Sequence, residues 1–218
     1  MTQQQFAGFW RLLRHFSEAG LLPHMLVIGS WAEYLYAQSG FLPGFVANLR
    51  TLDVDFLIRN QRRPAQKVNL MQAVQASGCL MEQDTLTGAT KLYTLDGLEV
   101  EFLIAQKGSG QEAVLPTNLG VNAQALTHIS MLRDHAVEVT VFDKRIMVPL
   151  PEAYVLHKCV INERRGLKAE KDRQAINGLA PYLDATRLSD IFETLQRKEK
   201  AAALAALQRL GIDTELKL

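Results

Sequence analysis

Apolar residues at Phe6, Phe9, Leu12, Leu13 and Phe16 recur at helical spacing and predict an amphipathic helix over residues 5–19. The next apolar run, MLVIG at 25–29, is short, continuous and closed by glycine, the pattern of a buried strand. Trp31, Tyr34 and Leu35 return to helical spacing over 30–38, with Ser30 placed to cap the start. Gly40, Pro43, Gly44 and Asn48 mark 39–50 as loop, and LDVDFLI (52–58) reads as a strand. A helix is expected over 62–77, with Pro64 near its start and Gly78 at its end. CLMEQ, KLYTL and LEVEFLI are strand-like, the last two joined by Asp96-Gly97, a strong hairpin signal. Residues 106–120, rich in Gly, Pro and Asn, read as loop. VEVTVF and RIMVPL are strand-like and meet at Asp143-Lys144.

Beyond Pro149-Leu150-Pro151 the pattern becomes helical to the end. Four helices are expected, in EAYVLHKCVINER, KAEKDRQAINGLA, ATRLSDIFETLQ and KAAALAALQRL, with Leu179-Ala180-Pro181 breaking the second from the third. The chain therefore reads as α/β (α+β): a core with a small mixed sheet flanked by helices over 1–150, then a helical bundle over 151–218.

Composition narrows the function classes. With 48% hydrophobic and 22% charged residues in 218, the chain can bury a sizeable core. A net charge of +1 gives no global basic field for nucleic acid. Cys79 and Cys159 form neither a disulfide framework nor a metal-ligand spacing. With no membrane-length apolar run and no signal-peptide pattern at the start, a cytoplasmic protein is the expectation.

Asp53 and Asp55 stand two apart in an apolar strand. Residues two apart share a face, and two carboxylates this close repel unless a positive charge lies between them. Aspartate is also disfavoured in strands. Oxygen-only ligands suit Mg²⁺ or Mn²⁺. Glu99 and Glu101 repeat the arrangement, although alternation alone also fits a sheet with one wet face. Neighbouring strands would bring three or four carboxylates together. Gly29-Ser30, between a strand and a helix, offers backbone N–H groups and a hydroxyl to a phosphate, or else an ordinary cap. Trp10, Trp31, Tyr34 and Tyr154 read as packing, and His24, His128 and His135 as surface or capping residues.

A strand ending in Gly-Ser, a helix, Asp-x-Asp on the next strand and a later acidic strand together resemble the nucleotidyltransferase superfamily that includes DNA polymerase beta. Arg50-Thr51-Leu52-Asp53-Val54-Asp55 fits the "Arg-x-Thr/Ser-x-Asp-x-Asp" form of its bacterial branches. The helical half, with His157-Lys158, Arg164-Arg165, Lys168, Lys171 and Asp172, resembles bacterial nucleotidyltransferase-like proteins related to toxin–antitoxin nucleotidyltransferases. The resemblance spans about residues 25–180.

It implies the nucleotidyltransferase fold, an active site in the cleft between the two halves, and transfer of an NMP from an NTP to a hydroxyl acceptor with release of pyrophosphate. It implies that Asp53, Asp55 and Glu101, with Glu99 as the alternative third carboxylate, hold two Mg²⁺ (or Mn²⁺) and carry the catalysis. Gly29, Ser30 and Lys158 would hold the triphosphate, with Arg165 and Asp172 alongside. The acceptor is a small molecule, a protein or a tRNA. A toxin-like enzyme silenced by an antitoxin-like partner, and a degenerate scaffold that only binds a nucleotide or partner, are the alternatives.

Overall fold

The computed structural model describes residues 6–49, 51–59, 68, 70–106, 108 and 113–212. The chain divides into two units, one of residues 1–127 and 138–148, the other of 128–137 and 149–218.

In the first unit, helix α1 (Ala7–Glu18) turns Phe9, Leu12, Leu13 and Phe16 inward, as their spacing predicts. Strand β1 (Met25–Ile28) is buried throughout, and α2 (Ser30–Gln38) follows it. Strand β2 (Asp53–Ile58) comes next, then α3 (Leu70–Ser77), β3 (Leu80–Gln83), β4 (Thr90–Tyr93) and β5 (Glu99–Ala105). Of the helix expected over 62–77, Pro64 and the residues to 67 lie outside the described residues, and Val68, which is described, is not helical.

Two short strands, β6 (Val114–Pro116) and β7 (Asn122–Leu126), complete this run, and β8 (Ala136–Val141) and β9 (Lys144–Pro149) close it. The sheet is mixed, in the order β3-β4-β5-β2-β1-β9-β8. β2 runs antiparallel to β1 and parallel to β5. One edge of β5 meets β2; its other edge is shared by β4 at residues 99–101 and β7 at 103–105.

The core lies on the sheet face opposite the carboxylates. Phe56 and Phe102 are register partners whose rings stack at 6.2 Å, and Phe16 meets Phe56 edge-on at 5.5 Å. Trp31, fully buried, packs on Phe9 at 4.1 Å, so the packing role expected for it holds.

A long-range cap ties α1 to the β4–β5 turn. The Gly8 N–H donates to the Asp96 carboxylate at 2.8 Å, and the Thr94 hydroxyl donates to it at 2.6 Å. Burial pushes the Asp96 carboxyl up, but these hydrogen bonds hold it below its usual range. A Cβ on Gly8 would lie 1.8 Å from an Asp96 oxygen, so only glycine admits this approach.

Three elements depart from expectation. β6 falls inside the expected loop at 106–120, while β7 and the short helix α4 (Ser130–Asp134) had no apolar pattern to announce them. Ala123 and Ala125 are weak strand formers; pairing with β5 and β6 makes β7 a strand. The β8–β9 turn is Phe142-Asp143, both in the left-handed region at φ 46° and 61°. That is the twist a two-residue hairpin requires.

In the second unit, α5 (Pro151–Ile161) is the central helix, buried on nearly all sides and packed by α4, α6 (Ala169–Leu179), α7 (Ala185–Thr194) and α8 (Arg197–Leu210). Pro151 occupies its first turn, where its missing N–H costs nothing. Pro181 sits in the 3-10 turn Ala180–Tyr182 that separates α6 from α7. Buried Glu152 accepts the Asp184 N–H at 3.0 Å and thereby fixes the start of α7.

Phe56→Ala is expected to cost about 3–5 kcal/mol in urea denaturation. Leu86→Ala, at a side chain 94% exposed, should stay within about 0.5 kcal/mol. Equal effects would contradict this placement of the core.

Candidate active site

In the first unit the chain must leave β1 and start α2 within one residue. Gly29 does this at φ +66° and ψ −154°, a conformation closed to side-chain-bearing residues. A second constraint acts at the same atom: a Cβ here would lie 3.0 Å from Asp55 Oδ2. Gly29 is therefore the cap of α2, and Ser30 is its first helical residue. This corrects the expectation that Ser30 caps the helix: the reversal falls one residue earlier, where only glycine can make it. The α2 start thus adjoins the Asp55 carboxylate.

The in-register pairing of β2 with β5 sets Asp53 opposite Glu99 and Asp55 opposite Glu101. All four carboxylates share one face at the N-terminal ends of two parallel strands. Val54, Phe56, Val100 and Phe102 take the other face and are buried. Asp53 is exposed and Asp55 half-buried. The Thr51 hydroxyl accepts the Asp53 N–H at 3.2 Å, and the Leu52 carbonyl accepts the Glu99 N–H at 3.0 Å, which fixes the strand starts together. Arg50 lies outside the described residues.

Sequence reasoning missed Lys91. It stands directly opposite Glu101 across β4–β5, and its ammonium pairs with both Glu99 and Glu101, the latter at 2.9 Å. The hydrogen bonds to Glu99 and then Glu101 push the Lys91 pKa well above its ordinary value. A two-residue turn at Asp96-Gly97 would set Leu95 opposite Leu98 and Lys91 on the wrong face. The actual loop is one residue longer, with Thr94 and Leu98 flanking it, and this shift brings Lys91 to the glutamates.

Among the described residues, no three His, Cys, Asp or Glu side chains stand close enough together to hold a metal ion. The donor chemistry nevertheless fits a hard divalent cation. Asp53 and Asp55 offer oxygen ligands on one face, Asp55 lies against the helix start, and Glu101 is the cross-strand neighbour.

In the second unit, Asp172 (1% exposed) bridges two cations. Lys158 Nζ donates to its Oδ1 at 2.7 Å and Arg165 Nε to its Oδ2 at 3.2 Å. Lys158 is buried, with its ammonium 4.8 Å from the centre of the Tyr154 ring. The core position expected for Tyr154 holds. The Arg165 side chain is 40% exposed, and its terminal nitrogens have no partner among the described residues. Lys168 and Lys171 are exposed, and the side chain of Arg164 is not among those described.

Half-buried His157 is pushed down to about 3 by burial, then by the charges of Lys158, Arg165 and His128, so it is neutral near pH 7. His128, expected at the surface or in a cap, instead sits with Nδ1 2.6 Å from Glu199 Oε1 on α8.

Four carboxylates on one sheet face and a glycine-led helix start lie together in the first unit, and comparison with known proteins gives the family that carries them. The family profile described as Nucleotidyltransferase matches residues 9–201, and the chain belongs to that family. The crystal structure of an antigenic nucleotidyltransferase-like protein from Paracoccidioides brasiliensis shares the fold. It aligns with a TM-score of 0.54 at 15% identity, over 95% of this chain and 92% of that one. The solution structure of the antibiotic-resistance factor ANT(2'')-Ia aligns at 14% identity over 99% and 97% of the two chains, with a TM-score of 0.47. No curated protein matches the sequence. Among the described residues, no helix is long and apolar enough to cross a membrane.

Asp172→Asn leaves the Lys158 ammonium buried without its counter-charge. The expected loss is about 3–5 kcal/mol, with much of it recovered in Lys158→Met/Asp172→Asn. Chemical denaturation of the three proteins checks this; a wild-type-like Asp172→Asn would show the pair to be energetically idle.

Proposed function

We propose that the chain transfers an NMP from an NTP to a hydroxyl acceptor in a reaction that depends on a divalent metal. The observation that carries this reading is the Asp55 carboxylate set against Gly29. It makes a carboxylate face and a helix start neighbours in one unit, which supports this reading.

In the proposed reaction the acceptor oxygen attacks the α-phosphorus, the bond to the bridging α–β oxygen breaks, and pyrophosphate leaves. Mg²⁺ or Mn²⁺ supplies charge neutralisation at the phosphate oxygens and lowers the acceptor's pKa. Asp53 and Asp55 are its ligands, with Glu101 the third. Glu101 also accepts the acceptor's proton. The α2 N–H groups and the Ser30 hydroxyl orient the triphosphate. In the second unit, the family resemblance assigns Arg165 and Lys158 to phosphate, the one as a fork and the other as a point charge. Asp172 orients both. The chemistry is positioning and charge stabilisation, which needs no covalent intermediate on the protein.

Calorimetric titration with each of the four NTPs, with and without Mg²⁺, tests this. Metal-dependent binding of at least one NTP is expected, lost in Asp53→Ala/Asp55→Ala. Four flat titrations of the folded wild-type protein would favour a scaffold that has given up nucleotide transfer.

A further inference from the structure

Lys91 has no part in the reaction as written, yet its ammonium reaches both glutamates of β5. β2 and β5 are paired in register with backbones about 4.8 Å apart, so the four carboxylates form a strip of like charge along one face. One lysine at its edge relieves the glutamate pair. Its contact with Glu99 is the closer, and its contact with Glu101 is 2.9 Å. Its side chain is shielded, with 22% exposure, and its place on β4 is fixed by register. A divalent cation held by Asp55 and Glu101 must therefore share Glu101 with a cation already there.

We propose that Lys91 is a positioning residue, an internal counter-ion anchored on Glu99 that occupies Glu101 until a divalent cation takes that carboxylate. The proposal rests on the metal reading above and deepens it. The two glutamates then have separate roles. Glu99 holds the lysine, and Glu101 exchanges it for metal. Lys91 and the metal bind Glu101 in competition, so the lysine sets the metal affinity of the site.

The test is Mn²⁺ titration of the full chain, without nucleotide, read by electron paramagnetic resonance of the free ion. Lys91→Met and Lys91→Gln are expected to bind Mn²⁺ about tenfold more tightly than wild type, the scale of removing one unit charge about 5 Å from a divalent ion in a solvated site. Lys91→Arg keeps the charge and should stay close to wild type. Two neutral replacements guard against a folding defect in one, and thermal melting of each reports it. A purely structural lysine would instead loosen the strip and weaken Mn²⁺ binding. Affinities of Lys91→Met and Lys91→Gln equal to or weaker than wild type, alongside wild-type binding that Asp53→Asn abolishes, overturn the counter-ion role alone. Absence of any Mn²⁺ binding sensitive to Asp53→Asn in both wild type and Lys91→Met overturns the metal reading and this proposal together.

Discussion

Like charge brought together on neighbouring strands is the constraint around which the first unit is arranged. The in-register pairing of β2 with β5 sets Asp53 and Asp55 beside Glu99 and Glu101 on one face. The phenylalanines and valines between them anchor the same strands to the core on the other face. The apolar face fixes the register, because a slip of one residue would bury the carboxylates and expose Phe56 and Phe102. Hydrophobic packing thus holds four acids where electrostatics alone would scatter them. The positive elements alongside are the N–H groups at the start of α2, brought in by Gly29, and the ammonium of Lys91.

The second unit meets a related problem with a different solution. Lys158 and Asp172 are both buried, which is tolerable because each is the other's counter-charge and Arg165 takes the remaining carboxylate oxygen. Lys158 sits on α5, the helix that α4, α6, α7 and α8 surround, and Asp172 on α6 packed against it, so the geometry of the pair is held by packing. His157, next along the helix, stays neutral because burial and the charges of Lys158 and Arg165 disfavour its protonation. Two cations on one carboxylate leave the group a net positive charge with little freedom to rearrange.

Much of this was legible in the chain. The period-two alternation of DVDFLI and EVEFLI marked which residues share a face. Gly29, Gly78 and Pro151 punctuated the elements where the backbone demanded it, and the boundaries of the C-terminal helices followed from Pro151, Pro181 and the apolar periodicity. What escaped depended on contacts distant in sequence. β7 is a strand because β5 and β6 pair with it, since its alanines carry almost no strand signal. Lys91 was hidden by one residue of turn length, which decides the face it occupies. Asp96 reads as a turn residue, and nothing local shows that its carboxylate also receives the N–H of Gly8. The reach of Asp172 to both Lys158 and Arg165 depends on how α6 packs on α5, which spacing along the chain does not show.

The central claim is that Asp53 and Asp55 exist to hold metal against a triphosphate. Its most direct test is a crystal of the protein grown with Mn²⁺ and a non-hydrolysable NTP, examined by anomalous scattering at the manganese edge. The account predicts a manganese peak bound by oxygens of both aspartates at a bond length of about 2 Å, with the triphosphate running to the start of α2 at Gly29 and Ser30. Manganese and nucleotide bound together elsewhere, with both aspartates free of the metal, would contradict it.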